Sequence, residues 1–162
     1  MLKPGSPLAD LINAPMRPGR IAWIGARPAR RAAMQPLTEA QLDTASGLIG
    51  DRYAGRSGER HLTLIGASDL AAIADFLGLE AVAPDQLRRN IVVSGVNLLA
   101  LRDKRFRLGG ALLQTTGECH PCSRMEETFG PGGYNAVRGH GGVTAHVLES
   151  GLIRLGDALE VV

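Results

Sequence analysis

From Arg89 onward the chain is a succession of short apolar, β-branched runs cut by glycine-bearing turns: NIVVSG, FRLGGALLQTT, GGVTAHVLESG and IRLGDALEVV. Short runs of this kind between glycine and polar turns read as strands. Many short strands with few helices favour closure, because an open sheet edge leaves unpaired backbone groups exposed. The expected fold is mainly β (β-rich α+β), a closed or partly closed β-barrel with a few short peripheral helices. Upstream, GRIAWIG (residues 19–25) suits a short strand and HLTLI (residues 61–65) a core strand. The clearest helix follows, with Ser68 as its expected cap, Leu70, Ile73, Ala74 and Leu77 on one face, and Gly78 at its end. A second short helix is expected from Pro84. Two pieces echo each other, FRLGGAL and IRLGDAL, and each reads as strand, tight turn, strand.

Residues 1–19 form a lead-in whose prolines, Pro4, Pro7, Pro15 and Pro18, confine any helix to LADLINA. No linker divides the rest, so residues 1–162 are read as a single domain. At 162 residues such a domain buries a core without disulfides or a structural metal. The two cysteines are therefore not needed as staples. With no leader and no long apolar run, the chain is expected to be cytoplasmic, with no membrane partner and both sulfurs as thiols. A net charge of +2 and an aromatic content of 4 % supply neither a basic stripe nor a stacking surface, so no nucleic acid is expected as a partner. Nearly all the basic residues are arginine, the better fork for phosphate and carboxylate oxygens.

Three groups of residues can carry chemistry. The first is TGECHPCSRMEE (residues 116–127), which holds Cys119 and Cys122 in a C-x-x-C spacing with His120 and Arg124. A thiolate is a nucleophile, a sulfur carrier and a soft metal ligand, and a nearby Arg124 or His120 favours it. The thioredoxin reading needs a substantial helix after the motif, and SRMEETFGPGG allows barely two turns. A zinc site recruiting His140 and His146 has too long an interval for a zinc finger. Packed, inert thiols are the plain alternative. The second group is arginine-rich: Arg52 in GDRYAG, Arg60 beside His61, and Arg88, Arg89 and Asn90 before a strand. Singly each is a solvated charge or a turn residue; together they can cradle a phosphate. Third is RGHGGVTAHV (residues 138–147), a glycine turn into a strand that can approach a ligand closely or merely turn a hairpin.

In order and spacing, GLIGDRYAG, ERHLTLI, LRRNIVVSGVNLLAL, FRLGGALLQTTGECHPCSRMEE and RGHGGVTAHVLESGLIRLGDALEVV resemble the MOSC domain family, the molybdenum-cofactor sulfurase C-terminal domain, in its stand-alone form. The resemblance implies a β-rich barrel that binds the molybdopterin form of the molybdenum cofactor. It also implies one cysteine, matching Cys122, that carries sulfur or ligates molybdenum; Cys119 has no clear counterpart and can resolve a persulfide by exchange. The cofactor's phosphate is then expected against Arg52, Arg60, Arg88 or Arg89, with Asn90 bonding pterin or phosphate. His61, Arg124 and His140 are further candidates for the cofactor site. Pyridoxal phosphate is expected only on a partner cysteine desulfurase, and a molybdoenzyme is the other partner in view. Three functions stay open: sulfur carriage or cofactor binding, molybdenum-dependent reduction of N-hydroxylated compounds with separate electron-donor proteins, and C-x-x-C thiol redox or structural chemistry without molybdenum.

Overall fold

The computed structural model describes residues 2–52 and 58–162. Its strands are β1 (Gly19–Ala26), β2 (Gln35–Leu37), β3 (Glu39–Asp43), β4 (Gly47–Leu48), β5 (Leu62–Gly66), β6 (Ile91–Ser94), β7 (Arg105–Leu108), β8 (Ala111–Glu118), β9 (Val143–Glu149), β10 (Gly151–Arg154) and β11 (Ala158–Val161). The helices are α1 (Pro7–Ile12), α2 (Ala67–Leu77), α3 (Arg124–Phe129) and α4 (Gly133–Val137), with short 3-10 turns at Pro84–Gln86 and Leu98–Leu101. Seven of the strands close into a barrel in the order β11-β7-β8-β9-β5-β6-β1, with β1 pairing back to β11. Closure removes the two free edges that an open sheet of these strands would expose. Strand β2 branches from the end of β1, and β10, β3 and β4 form a separate small sheet.

The barrel is antiparallel except at β5 and β6, which run parallel with α2 as the crossover between them. This explains why every residue of β5 is buried: Leu62 and Leu64 join the barrel interior, while Ile65 packs under α2. The interior is filled from many strands, Ile24, Phe106, Leu113 and Val147 among them, each 0 % exposed. Burying side chains of this size contributes about 1.5–3 kcal/mol apiece. A second cluster, Ile73, Leu87, Val92, Met125 and Val137, lies outside the barrel wall and ties α2, α3 and α4 to it. That cluster positions the loop that carries the cysteines.

One local expectation needs correction, and the two echoing segments, each a strand, turn and strand as expected, differ in how their strands pair. Helix α2 begins one residue before Ser68, at Ala67, and the Asp69 side chain rather than Ser68 accepts the Gly66 amide at 3.2 Å. The carboxylate at the third helical position reaches back to the amide of the N-cap residue, a different donor from the second or third helical amide that a capping serine serves. The FRLGGAL segment is a true hairpin, β7 on β8. The matching IRLGDAL segment is not, since β10 pairs with β3 while β11 pairs with β7 and β1. One local and two distant bonds account for it: Asp157 takes the Arg154 amide on its carboxylate, and Gly156 and Asp157 exchange backbone bonds with Ile21 on β1. Those bonds turn β11 into the barrel and leave β10 outside it.

Candidate functional site

A cleft of about 830 Å³ opens over the strand ends of β1, β5 and β6, closed on one side by the cysteine loop. Among the described residues, eight arginines and two carboxylates, Asp85 and Glu127, line it. Arg52, Arg60, Arg88, Arg89 and Arg124, all expected from the sequence, are brought together here. Arg27, Arg30 and Arg31 are additions that sequence reading missed, as is Thr63 on β5. The three arginines sit on the proline-bearing segment after β1, where nothing in the local pattern separates a ligand contact from a solvated charge.

Arg27 is held rigidly. The Asp51 carboxylate accepts from Arg27 Nε at 3.0 Å, Nη2 at 2.8 Å and the Arg27 amide at 2.7 Å. Burial raises the Asp51 pKa, but the Arg27 hydrogen bonds and charge, together with a bond from Asn90, leave it below the usual carboxylate value. Asn90 is fully buried: its Oδ1 accepts from the Thr63 amide and hydroxyl, and its Nδ2 donates to Gly25 O and Asp51 Oδ1. Asn90 thus stands behind the cleft and acts on it through Asp51 and Arg27. Arg88, a non-glycine residue at φ 61, donates to the carbonyls of Ala32 and Ala29. It clasps the loop that presents Arg30 and Arg31. Burial and the charges of Arg27, Arg52 and Arg124 push the Arg88 pKa down, with Asp51 opposing.

Arg89 is 8 % exposed, and no carboxylate among the described residues pairs with it. Its Nε donates to Gly141 O at 2.7 Å and Nη1 to Leu87 O at 2.6 Å. Burial depresses its pKa, with the Cys119 sulfur the largest opposing influence. Cys119 is 4 % exposed and its amide donates to Gly142 O at 2.8 Å; its Sγ lies 4.0 Å from Arg60 Nη2. Cys122, two residues past His120, is exposed and lines the cleft. The loop that carries the sulfurs is therefore polar in sequence but holds one sulfur inside and one out.

His140 and His61 are placed elsewhere. His140 Nδ1 lies 3.0 Å from Asp69 Oδ1 at the start of α2, outside the cleft, though the next residue supplies the carbonyl that holds Arg89. His61 is 1 % exposed and stacks on His146 with ring centroids 4.5 Å apart. Its Nδ1 accepts the Val147 amide at 3.0 Å, an arrangement that requires the neutral ring. Burial, then the neighbouring His146, lowers its pKa below the ordinary 6.5, while Asp43 pulls the other way. The unfolded chain therefore takes up this proton at higher pH than the folded one does, so stability is full above the unfolded pKa and declines as pH falls below it. Thermal unfolding midpoints should drop between pH 7 and pH 5, and His61→Gln should flatten that slope; an unchanged slope would clear His61 of the effect. The Tyr-Ala-Gly end of GLIGDRYAG lies outside the described residues. No group of three or more His, Cys, Asp or Glu side chains among the described residues is arranged to hold a metal ion. None of the described helices is long and apolar enough to cross a membrane.

The site is thus a polycationic cleft at the end of a small closed barrel, with an exposed cysteine at its wall. The MOSC domain model matches residues 38–160, and the chain belongs to the MOSC domain family. The fold is similar to that of the YUAD protein from Bacillus subtilis, at TM-score 0.78 and 19 % identity over 90 % of this chain and 96 % of that one. It is also similar to YiiM from Geobacillus stearothermophilus (TM-score 0.69, 16 % identity, 89 % and 75 % covered). YiiM from Escherichia coli gives TM-score 0.68 at 20 % identity, with 88 % and 69 % covered. No curated protein matches the chain.

Proposed function

We propose that the chain binds molybdenum cofactor in the arginine cleft and uses Cys122 to ligate molybdenum or to carry sulfur. The observation that carries this reading is Arg89, a buried guanidinium without a carboxylate partner among the described residues, beside the cysteine loop. An unpaired buried charge costs several kcal/mol, roughly, unless an anion offsets it. The residues fit the group: Arg30, Arg31 and Arg52 offer forks for its phosphate, Arg60 and Arg89 supply positive charge near the sulfurs, and the exposed Cys122 offers a soft ligand. When bound, the cofactor supplies a sulfur-ligated metal centre able to change oxidation state. The chain's own residues hold the anion, orient it through the Asn90, Asp51 and Arg27 bonds, and present one thiol.

The exposure of Cys122 favours sulfur carriage as a second use of the same site, because a partner can reach it. The Cys122 thiolate would attack the outer sulfur of a desulfurase persulfide; the new S–S bond forms as the partner's S–S bond breaks and its thiolate leaves. No external oxidant enters this exchange. Reduction of N-hydroxylated compounds with electrons from a separate donor protein would use the same cleft, and a molybdoenzyme is the partner that carriage implies. Protein purified without oxygen from a cofactor-competent host should hold near-stoichiometric molybdenum by elemental mass spectrometry, and Cys122→Ala should lose it while unfolding at the same temperature. Full loading of the variant ends the ligation reading, and stoichiometric zinc in the wild type overturns the cofactor reading.

A further inference from the structure

The eight arginines of the cleft are not equivalent. Arg27 is matched by Asp51, while Arg88 and Arg89 donate to backbone carbonyls. The side chains of Arg30, Arg31, Arg52 and Arg124 make no hydrogen bond or ion pair among the described residues. Arg30, Arg31 and Arg52 are exposed and Arg124 is half-buried, so a molecule in the cleft can reach all four. Neighbouring charges sort the arginines further. Those that bear on Arg89 are the Cys119 sulfur, Arg27, the Cys122 sulfur and Arg60. Those that bear on Arg88 are Arg27, Arg52 and Arg124, with Asp51 opposing. Arg89 and Arg60 thus form one group at the cysteine loop. Arg52 and Arg124 form another around Arg88, and the loop that Arg88 clasps adds Arg30 and Arg31 to it.

The second group holds more donors than one phosphate uses. A bidentate fork takes two oxygens, so two forks engage the terminal oxygens of one phosphate group and four gather enough donors for two. Left without anions, like charges this close repel one another. The cleft also has room: about 830 Å³ is near the upper end of small-molecule sites. Its lining includes Asp85, Glu127 and Thr128, which do not attract phosphate but accept hydrogen bonds from sugar hydroxyls and base amino groups.

We propose that Arg30, Arg31, Arg52 and Arg124 form a diphosphate site, so that the ligand of the cleft carries two linked phosphate groups with a nucleoside attached. The inference rests on the cofactor reading for the rest of that ligand, which is then a form of the cofactor extended by a nucleotide. The diphosphate site itself is tested without the cofactor.

Calorimetric titration of the full chain compares inorganic phosphate with symmetric dimethyl diphosphate, two anions of nearly the same charge, of which only the second holds two linked phosphate groups. The diphosphate should bind about 10-fold more tightly, one ion per chain. Replacing Arg52 and Arg124 together by glutamine should weaken the diphosphate about 10-fold and phosphate, which Arg89 also holds, by no more than about 3-fold. Urea denaturation of that variant should be unchanged. Equal affinity for the two anions, or equal losses of both in the double variant, overturns the proposal and makes these arginines a general cationic surface. In the second arm, protein purified with its molybdenum and denatured in acid should release one nucleoside monophosphate per metal, read by mass spectrometry. Molybdenum without a nucleotide overturns the proposal and leaves the cofactor reading standing. Absence of molybdenum overturns the cofactor reading instead, and the two titrations still decide the diphosphate site.

Discussion

Replacing Arg89 with methionine is expected to weaken binding of inorganic phosphate by about 30-fold or more, the equivalent of about 2 kcal/mol for a buried, hydrogen-bonded charge. Molybdenum retained through purification should fall with it. Stability should move far less, because two effects oppose. The variant leaves the carbonyls of Gly141 and Leu87 without the guanidinium that now donates to them. Each such loss costs about 1–3 kcal/mol. It also removes a charge that is 8 % exposed and has no carboxylate partner among the described residues. That relief is worth several kcal/mol, roughly. Arg30→Ala, at an exposed position on the loop clasped by Arg88, should lower phosphate affinity only a few-fold, roughly. Isothermal titration with phosphate and urea denaturation of the three proteins decide the matter. Unchanged phosphate affinity in Arg89→Met would remove Arg89 from the site, and a large stability loss with normal affinity would make it a structural arginine.

The strands were legible because each run has its own boundaries. GRIAWIG, HLTLI and NIVVSG carry their glycines and polar turns with them, and β1, β5 and β6 fall within a residue or two of those limits. What local pattern does not carry is which strand pairs with which. IRLGDAL has the same pattern as FRLGGAL, yet Asp157 and Ile21 redirect it. The cap of α2 was hidden for a similar reason, since Ser68 and Asp69 both offer a side-chain acceptor and only the fold selects between them.

The site divides along the same line. Arg52, Arg60, Arg88, Arg89, Arg124 and Cys122 stood out as a chemical set and meet in one cleft. Their division of labour depends on burial and partners. Arg88 faces carbonyls of the loop that carries Arg30 and Arg31, and Asn90 is held by Thr63, Gly25 and Asp51 rather than facing the cleft. Arg27 became visible only once β1 had brought it to Asp51. Cys119 and Cys122 are three positions apart with polar neighbours on both sides, and the Gly142 carbonyl that draws the Cys119 amide inward comes from a segment more than twenty residues away.

That segment gives the other large effect. Gly142→Ala should destabilise the chain by about 4 kcal/mol or more, enough to unfold a marginally stable domain. Gly142 has φ +86, and a Cβ there would stand 1.9 Å from the carbonyl oxygen of Leu64. Leu64 is in the middle of β5, 0 % exposed and paired on both sides, so the backbone it would have to displace cannot yield. Gly139 separates the two causes: its φ is +78, but a Cβ there meets nothing within 4 Å. Gly139→Ala should therefore lose only the dihedral cost, about 1–2 kcal/mol. Gly141 is the instructive intermediate. A Cβ there would lie 2.0 Å from the carbonyl of Cys119, which belongs to a loop rather than a strand and can move. Gly141→Ala should thus keep more of its stability than Gly142→Ala but shift the cysteine loop, changing the rate of iodoacetamide alkylation at the exposed Cys122 and weakening phosphate binding at Arg89. Equal stability losses for Gly139→Ala and Gly142→Ala in urea denaturation would show that Leu64 imposes no steric limit. Normal alkylation and phosphate binding in Gly141→Ala would break the proposed link between the glycine segment and the site, because the Gly141 carbonyl is the atom that holds Arg89 in place.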